Sequence, residues 1–375
     1  MTKRLFISGA GGRIGEGVIN EHFSHGDSNL QLVGINEPKG IEWTLNVYAE
    51  KDHAHGKRDW QVEKVGNNAL NINGQVIPFF AETNPDKIPF KELGVQILID
   101  ASGFYGDPKE EKRAPELIGK PLTAEENGGR IFLKYGIERV VETYPAKTAD
   151  INIITGVNHL LYNPAKHRVI SNASCTTKAL SMPLQVLLDN GIGIDALLMD
   201  TTHAETGKDL AKLFGLLGSP TVNYDNLKSM MRIATHSTGA AKATGLVIPE
   251  LKGKMGGMSY RVPAMDGSFA NLYFVANSNE DITSDKLNTL LRAAVQNPKY
   301  LGRIGVFEEN DMETKDIVGR RENGVVVPSK TAVIPLPYGP EGKKAALCLI
   351  VSGYDNEHGS QIDPYKVAAY IASKD

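Results

Sequence analysis

Cysteine is nearly absent from this 375-residue chain: only Cys175 and Cys348 occur, far apart and without a His/Cys partner at zinc-ligand spacing. That excludes a disulfide framework and a structural zinc site, so no metal is expected, and a reducing cytoplasm is the predicted location. Charge of one sign is also lacking, with 41 Lys and Arg against 44 Asp and Glu and a net charge of −3. No global field is available to recruit nucleic acid or an acidic membrane, and a small ligand is the expected partner. No stretch approaches the ~20 apolar residues of a membrane helix. The first apolar run, Leu5-Phe6-Ile7, meets glycines too soon to be a signal peptide. Low complexity is missing as well: hydrophobic residues make up 41% and charged residues 23%, so ordinary buried cores are expected.

Glycine is in excess. The chain has 38, where average usage of about 7% would give roughly 26. Its length suits two domains better than one. Arg4 to Ser8 is a short apolar run that breaks on Gly9-Ala10-Gly11-Gly12-Arg13-Ile14-Gly15 and resumes as a helix-like stretch to His22. A second run, Leu30 to Ile35, stops at Asn36-Glu37-Pro38 and completes a βαβ unit. Asn73-Gly74 marks a tight hairpin turn inside Ala69 to Phe80. Val95 to Asp100 is another buried-strand run, followed by Ala101-Ser102-Gly103, small residues where open parallel sheets bind ligands. Gly106 to Gly129 is charged and turn-rich and reads as a surface insertion. A helix is predicted from Cys175 through Leu188. Beyond it the strands (Ala196 to Thr202, Ser259 to Pro263, Phe269 to Val275, Ala346 to Ser352) are more antiparallel in character, with helices at Ser284 to Val295 and Pro364 to Ala372. The domain boundary is expected near Asn172.

Glycines between a strand and a helix let backbone approach a pyrophosphate, whose charge meets the N–H groups of the helix N-terminus. Glu37 lies 22 residues beyond Gly15, where an acid accepts hydrogen bonds from ribose hydroxyls and repels a 2′-phosphate, favouring NAD over NADP. The spacing carries one residue more than Gly-x-Gly-x-x-Gly.

Cys175 is flanked by Asn172, Ala173, Ser174, Thr176 and Thr177, the small and polar residues that surround helix starts. A thiol in a first helical turn meets the positive end of the dipole and gains thiolate character. Cys348, inside Ala345 to Ile350, reads instead as a small core residue. Among the nine histidines His203 is the best partner for a thiolate, just past a strand end, with His236 its main rival.

Across Ser171-Asn172-Ala173-Ser174-Cys175-Thr176-Thr177 the chain resembles the phosphorylating glyceraldehyde-3-phosphate dehydrogenases. The resemblance runs on through Gly156-Val157-Asn158-His159, Thr202-His203-Ala204, Ser237 to Ala243, Val247 to Leu251, Arg261-Val262-Pro263 and Tyr354-Asp355-Asn356-Glu357. It implies a Rossmann-type doubly wound parallel sheet over residues 1–172, with the insertion at about 106–129. An α+β catalytic domain with a mixed, largely antiparallel sheet would span 173–352, and a C-terminal helix in 353–375 would return to the first domain. It further implies Cys175 as nucleophile and His203 as general base. Ser174, Thr176, Thr206, Thr238, Gly239 and Arg261 would bind substrate phosphate and inorganic phosphate. Gly9, Gly11, Gly12, Arg13, Ile14, Gly15, Glu37 and Ser102 would bind the cofactor, with Asn356 on the nicotinamide carboxamide. A phosphorylated aldehyde as substrate and a homotetramer complete the expectation.

The chain departs from the family pattern in places. Lys178 and Ala179 replace the usual Asn-Cys, and His358 and Ser360 stand where aromatics are common. Residues 207–235 match poorly, leaving Lys228 and Arg232 as candidates for a phosphate-binding cation. An erythrose-4-phosphate dehydrogenase-like activity that hydrolyses its thioester is the alternative enzyme, and an NAD-binding regulator or scaffold is the alternative of another class.

Overall fold

Leu5, Phe6 and Ile7 are all fully buried in strand β1 (Lys3–Ser8), because its two faces meet two different cores. Leu5 and Ile7 join one cluster with Val18 and Ile19, while Phe6 joins another with Phe90 and Phe132. Such double burial is why parallel strands read as continuous apolar runs. The computed structural model describes residues 2–49, 54–56, 58–105, 127–205, 232–337, 339–340 and 342–375. Two units are distinguished: residues 1–174 with 360–375, and residues 175–359.

In the first unit β1 is followed by α1 (Arg13–His25), β2 (Leu30–Asn36), α2 (Ile41–Ala49), β3 (Val62–Val65), β4 (Ala69–Ile72), β5 (Gln75–Phe80) and β6 (Ile97–Asp100). Then come β7 (Arg139–Glu142), β8 (Ile151–Asn152) and β9 (Val169–Ser171). The sheet order is β3-β4-β5-β2-β1-β6-β7-β9-β8, parallel except for the β3-β4-β5 meander. β1 lies between β2 and β6, so the strand order reverses at its carboxyl end, where such folds bind ligands. The Asn73-Gly74 turn forms as expected, with φ of 50° and 87°. Helix α1 begins at Arg13, earlier than its apolar pattern suggested, and α2 follows Pro38 where no element was anticipated. Of the expected insertion, residues 106–126 lie outside the described residues, and Gly128 and Gly129 instead open a short 3-10 helix, Gly128–Tyr135.

The second unit contains α3 (Cys175–Asp189), β10 (Gly193–His203), β11 (Ala234–Ser237), α4 (Ala240–Val247), β12 (Met255–Arg261), β13 (Ser268–Ser278) and α5 (Ser284–Val295). It continues with β14 (Ile304–Val306), α6 (Thr314–Ile317), β15 (Gly324–Val326), β16 (Ala332–Leu336) and β17 (Lys344–Tyr354). Helix α7 (His358–Lys374) ends the chain, and from residue 360 it belongs to the first unit. The second sheet runs β11-β12-β10-β13-β17-β15-β14, with β16 on β17. Pairing is antiparallel apart from β10–β12 and β14–β15, a mixed sheet as the family pattern implies. Along β10, Leu197, Met199, Thr201 and His203 alternate onto the buried side and Leu198 onto the exposed one.

Candidate active site

The first-unit cleft is built on the glycine loop. Gly9 has φ 79°, and a Cβ there would sit 2.6 Å from the Ser102 backbone nitrogen, so the loop lies directly on the segment after β6. Gly15 falls inside the first turn of α1, where a Cβ would come within 2.0 Å of the Gly9 carbonyl oxygen. The extra residue in the motif is absorbed by Gly12, whose N–H donates to Gly9 O (3.0 Å) and which caps the helix without a side chain. Glu37, at the end of β2, accepts from the Gly11 N–H through Oε2 and from the Lys39 N–H through Oε1, each at 3.2 Å. A cleft of about 360 Å³ is lined by Gly9, Gly12, Glu37, Trp43, Ser102 and Tyr105 among others. Gly11, Arg13, Ile14 and Gly15 do not line it: Gly11 packs on Trp43, and Gly15 packs under the loop. A backbone cradle at a helix N-terminus with a fixed carboxylate at its rim fits the pyrophosphate and ribose of a dinucleotide.

Cys175 is the first residue of α3 and half-buried. The turn before it is strained: Ala173, fully buried, is held at φ 56°, a region that costs a residue with a Cβ about 1–2 kcal/mol. The Cys175 Sγ lies 3.5 Å from His203 Nε2, at the end of β10. Burial opposes ionisation of the thiol. The hydrogen bond and charge of His203, joined by the charge of Lys178, outweigh it and hold the thiol below its usual pKa. Burial likewise disfavours the imidazolium, and the Cys175 contact overcomes it to raise the His203 pKa. Lys178 is 1% exposed, so it faces the interior and not solvent.

The parallel register of β10 and β12 pairs His203 with Arg261. His203 Nδ1 lies 2.7 Å from the Ala204 carbonyl oxygen and 2.6 Å from Arg261 Nη1. These two neighbours divide the protonation states. With its proton on Nδ1 the ring donates to Ala204 and, when neutral, leaves Nε2 free to accept a proton beside the sulfur, whereas the other neutral tautomer accepts at Nδ1 from Arg261, a group with no acceptor of its own, and carries its proton on Nε2. Arg261 also donates to Ala204 O at 2.5 Å.

Thr176 Oγ1 is 3.9 Å from the sulfur and 3.0 Å from the Tyr354 hydroxyl, which also meets Thr201 Oγ1 at 2.8 Å. The Tyr354 ring stands edge-on to His203, 6.0 Å between centroids. Sequence reasoning did not select Tyr354 as a site residue, although it opens the Tyr354-Asp355-Asn356-Glu357 run. Asn356 Oδ1 accepts from Ser268 Oγ, which in turn accepts from the Ala204 N–H, tying Asn356 to the histidine turn. Thr238 Oγ1 accepts the Ala240 N–H, and Gly239 caps α4 with open space around it. Ser174 is half-buried, while the rival His236, on β11, and Arg232 are exposed. Thr206 and Lys228 lie outside the described residues. Cys348 is buried, and burial pushes its thiol up to about 12.

The family model "Glyceraldehyde 3-phosphate dehydrogenase, NAD binding domain" matches residues 3–108, and the C-terminal domain model of that family matches residues 174–356. A glyceraldehyde-3-phosphate dehydrogenase of Geobacillus stearothermophilus is 33% identical over 375 residues, covering 100% of this chain and 99% of the relative. Glyceraldehyde-3-phosphate dehydrogenase 1 of Bacillus subtilis is 32% identical over the same coverage. The Zymomonas mobilis enzyme of that name is 34% identical over 373 residues, 99% of each chain. Full-length similarity joins the glycine-loop cleft and the Cys175–His203 pair in one conclusion: the chain belongs to the glyceraldehyde-3-phosphate dehydrogenase family and is an NAD-dependent oxidoreductase.

Proposed function

We propose that the chain oxidises glyceraldehyde 3-phosphate to 1,3-bisphosphoglycerate, with inorganic phosphate as second substrate, in glycolysis and gluconeogenesis. The observation that carries this is the 3.5 Å contact of a first-turn thiol with a buried imidazole. The Cys175 thiolate adds to the aldehyde carbon, and the oxygen takes the Nε2 proton of the His203 imidazolium to give a thiohemiacetal and a neutral imidazole. NAD, when bound, supplies the hydride acceptor. His203 Nε2 takes the hydroxyl proton as the thiohemiacetal becomes a thioester. A phosphate oxygen then attacks the thioester carbonyl, the C–S bond breaks, and the acyl phosphate leaves as the thiolate is restored. Arg261 offers a planar donor fork to phosphate oxygens, and Ser174, Thr176, Thr206, Thr238 and Gly239 add hydroxyl and backbone donors. Either Lys228 or Arg232 supplies a further cation for the substrate phosphate. On the cofactor side, Asn356 is assigned to the nicotinamide carboxamide.

A cytoplasmic homotetramer is part of the same proposal. Leu198, Met258, Tyr273, Ile334 and Leu347, on five strands of the second sheet, are all exposed, and an apolar sheet face of this kind supports association. Among the described residues no helix is long and apolar enough to cross a membrane. The test is NADH formation by purified protein with glyceraldehyde 3-phosphate and with erythrose 4-phosphate, each with and without inorganic phosphate. Dependence on phosphate with the triose is the expected result. Turnover of the tetrose without phosphate would replace this proposal with the hydrolytic alternative.

A further inference from the structure

Two acids lie side by side beneath the cofactor cleft. Asp100 and Glu142 end the neighbouring parallel strands β6 and β7, are direct register partners, and are both 0% exposed. Asp100 Oδ1 accepts from the Ser102 backbone N–H (3.0 Å) and from Ser102 Oγ (2.6 Å). Its Oδ2 accepts from the Tyr144 hydroxyl at 2.5 Å. Glu142 Oε1 accepts from the Gly129 N–H at 2.8 Å and lies 3.4 Å from the Tyr144 oxygen, while Oε2 is buried with no hydrogen-bond partner among the described residues.

Charge and proton counting then decide the state of the pair. Tyr144 has one proton, and the shorter contact commits it to Asp100, so two ionised carboxylates would leave Glu142 facing phenol lone pairs. Among the described residues the groups facing the two acids are Tyr144, Tyr105, which feels the Asp100 charge, and Arg130. Asp86 acts on Tyr105 from further out. Arg130 is the only cation among those described groups, and it is committed to Asp150 and the Thr148 carbonyl. Two adjacent buried carboxylates without a dedicated cation among the described residues do not both ionise near neutrality. Burial, the largest cause, pushes Glu142 up to about 8, with the Asp100 charge adding to it against the Gly129 N–H, and burial also raises Asp100.

We propose that Asp100 and Glu142 hold one proton between them at neutral pH, and that this singly charged pair positions Ser102 and the glycine loop for NAD. The pair acts through two contacts: Asp100 grips Ser102 twice, and Gly9 rests on the Ala101–Ser102 backbone. Loss of the proton adds a second negative charge under a loop that receives a pyrophosphate. The idea rests on the assignment of the cleft to NAD and gives Glu142 a positioning role there.

NAD titration of the full-length protein, followed by quenching of Trp43 in the cleft, tests it across the pH range. Wild type should bind about threefold or more weakly at pH 9 than at pH 7, while Glu142→Gln, neutral and of the same size, should be flat. Absence of quenching at every pH would overturn the cleft assignment. Quenching that ignores pH in wild type, or that weakens equally in Glu142→Gln, would overturn the shared proton alone. Should the variant fail to fold, the infrared spectrum of wild type decides: a protonated-carboxyl band at pH 7 that disappears with a midpoint near 8 is expected, and its absence at pH 7 overturns the proposal.

Discussion

Cys175 Sγ and His203 Nε2 lie 3.5 Å apart at the head of α3 and the end of β10, and the thiol is held below its usual pKa while the imidazole is raised above its own. Opposite shifts in two touching groups are the signature of an ion pair. Iodoacetamide should therefore alkylate one thiol per chain at neutral pH, with a midpoint below 9. His203→Asn should move that midpoint upward. Cys348, buried and pushed up to about 12, should stay unmodified. Two reactive thiols by mass spectrometry would contradict this.

Cys175→Ser should abolish turnover yet leave Trp43 quenching by NAD largely unchanged, because the cleft lies wholly within the first unit. His203→Asn should keep the nucleophile but lose about 10²–10⁴ in kcat, the usual worth of a positioned base. Substantial dehydrogenase activity in Cys175→Ser would remove the nucleophile assignment.

Glu37→Ala deletes a carboxylate held by the Gly11 and Lys39 N–H groups at the cleft rim. A hydrogen bond to a charged group contributes about 1.5–3 kcal/mol, so NAD should bind roughly tenfold to a hundredfold more weakly. Discrimination against NADP should fall at the same time. Titration calorimetry with both cofactors checks this, and unchanged NAD affinity would show that the ribose sits elsewhere.

The glycines separate into structural and functional ones. Gly15→Ala would drive a Cβ to within 2.0 Å of Gly9 O, and overpacking of that kind costs about 1–3 kcal/mol, so Tm should fall with NAD affinity. At Gly239 φ is −83° and nothing lies within 4 Å of an added Cβ. Gly239→Ala should therefore fold with wild-type stability, and any rise in KM would report contact with substrate.

Glu142 predicts a pH effect on stability with a definite sign. Its folded pKa, about 8, lies above the unfolded value, so the folded protein binds more protons than the unfolded one between roughly pH 4.5 and 8. The contribution of this residue is greatest below that window and declines as pH rises through it. Glu142→Gln should remove this decline, giving a Tm gain relative to wild type that is larger at pH 8 than at pH 5. Parallel Tm profiles would contradict the shift.

Much of this was legible in the residues themselves. Continuous apolar runs ending in small residues identify the parallel strands, Asn73-Gly74 fixes a hairpin, and polar flanks single out Cys175 over Cys348. What stayed hidden depends on register. Nothing local to Arg261 says that parallel pairing with β10 will bring it against His203 Nδ1, and nothing near Tyr354 says that its hydroxyl will bridge Thr176 and Thr201. Glu142 reads as an ordinary polar strand terminus until the sheet buries it beside Asp100. The lengthened glycine motif could be placed only once α1 was seen to start at Arg13, which puts Gly15 inside the helix.

The central claim is that Cys175 carries the oxidised substrate as a thioester. Mixing enzyme, NAD and glyceraldehyde 3-phosphate without inorganic phosphate, then digesting for mass spectrometry, tests it most directly. The account predicts a burst of about one NADH per chain and an acyl group on the Cys175 peptide that discharges when phosphate is added. NADH formation with no acylated Cys175, or an acyl group on another residue, would contradict it.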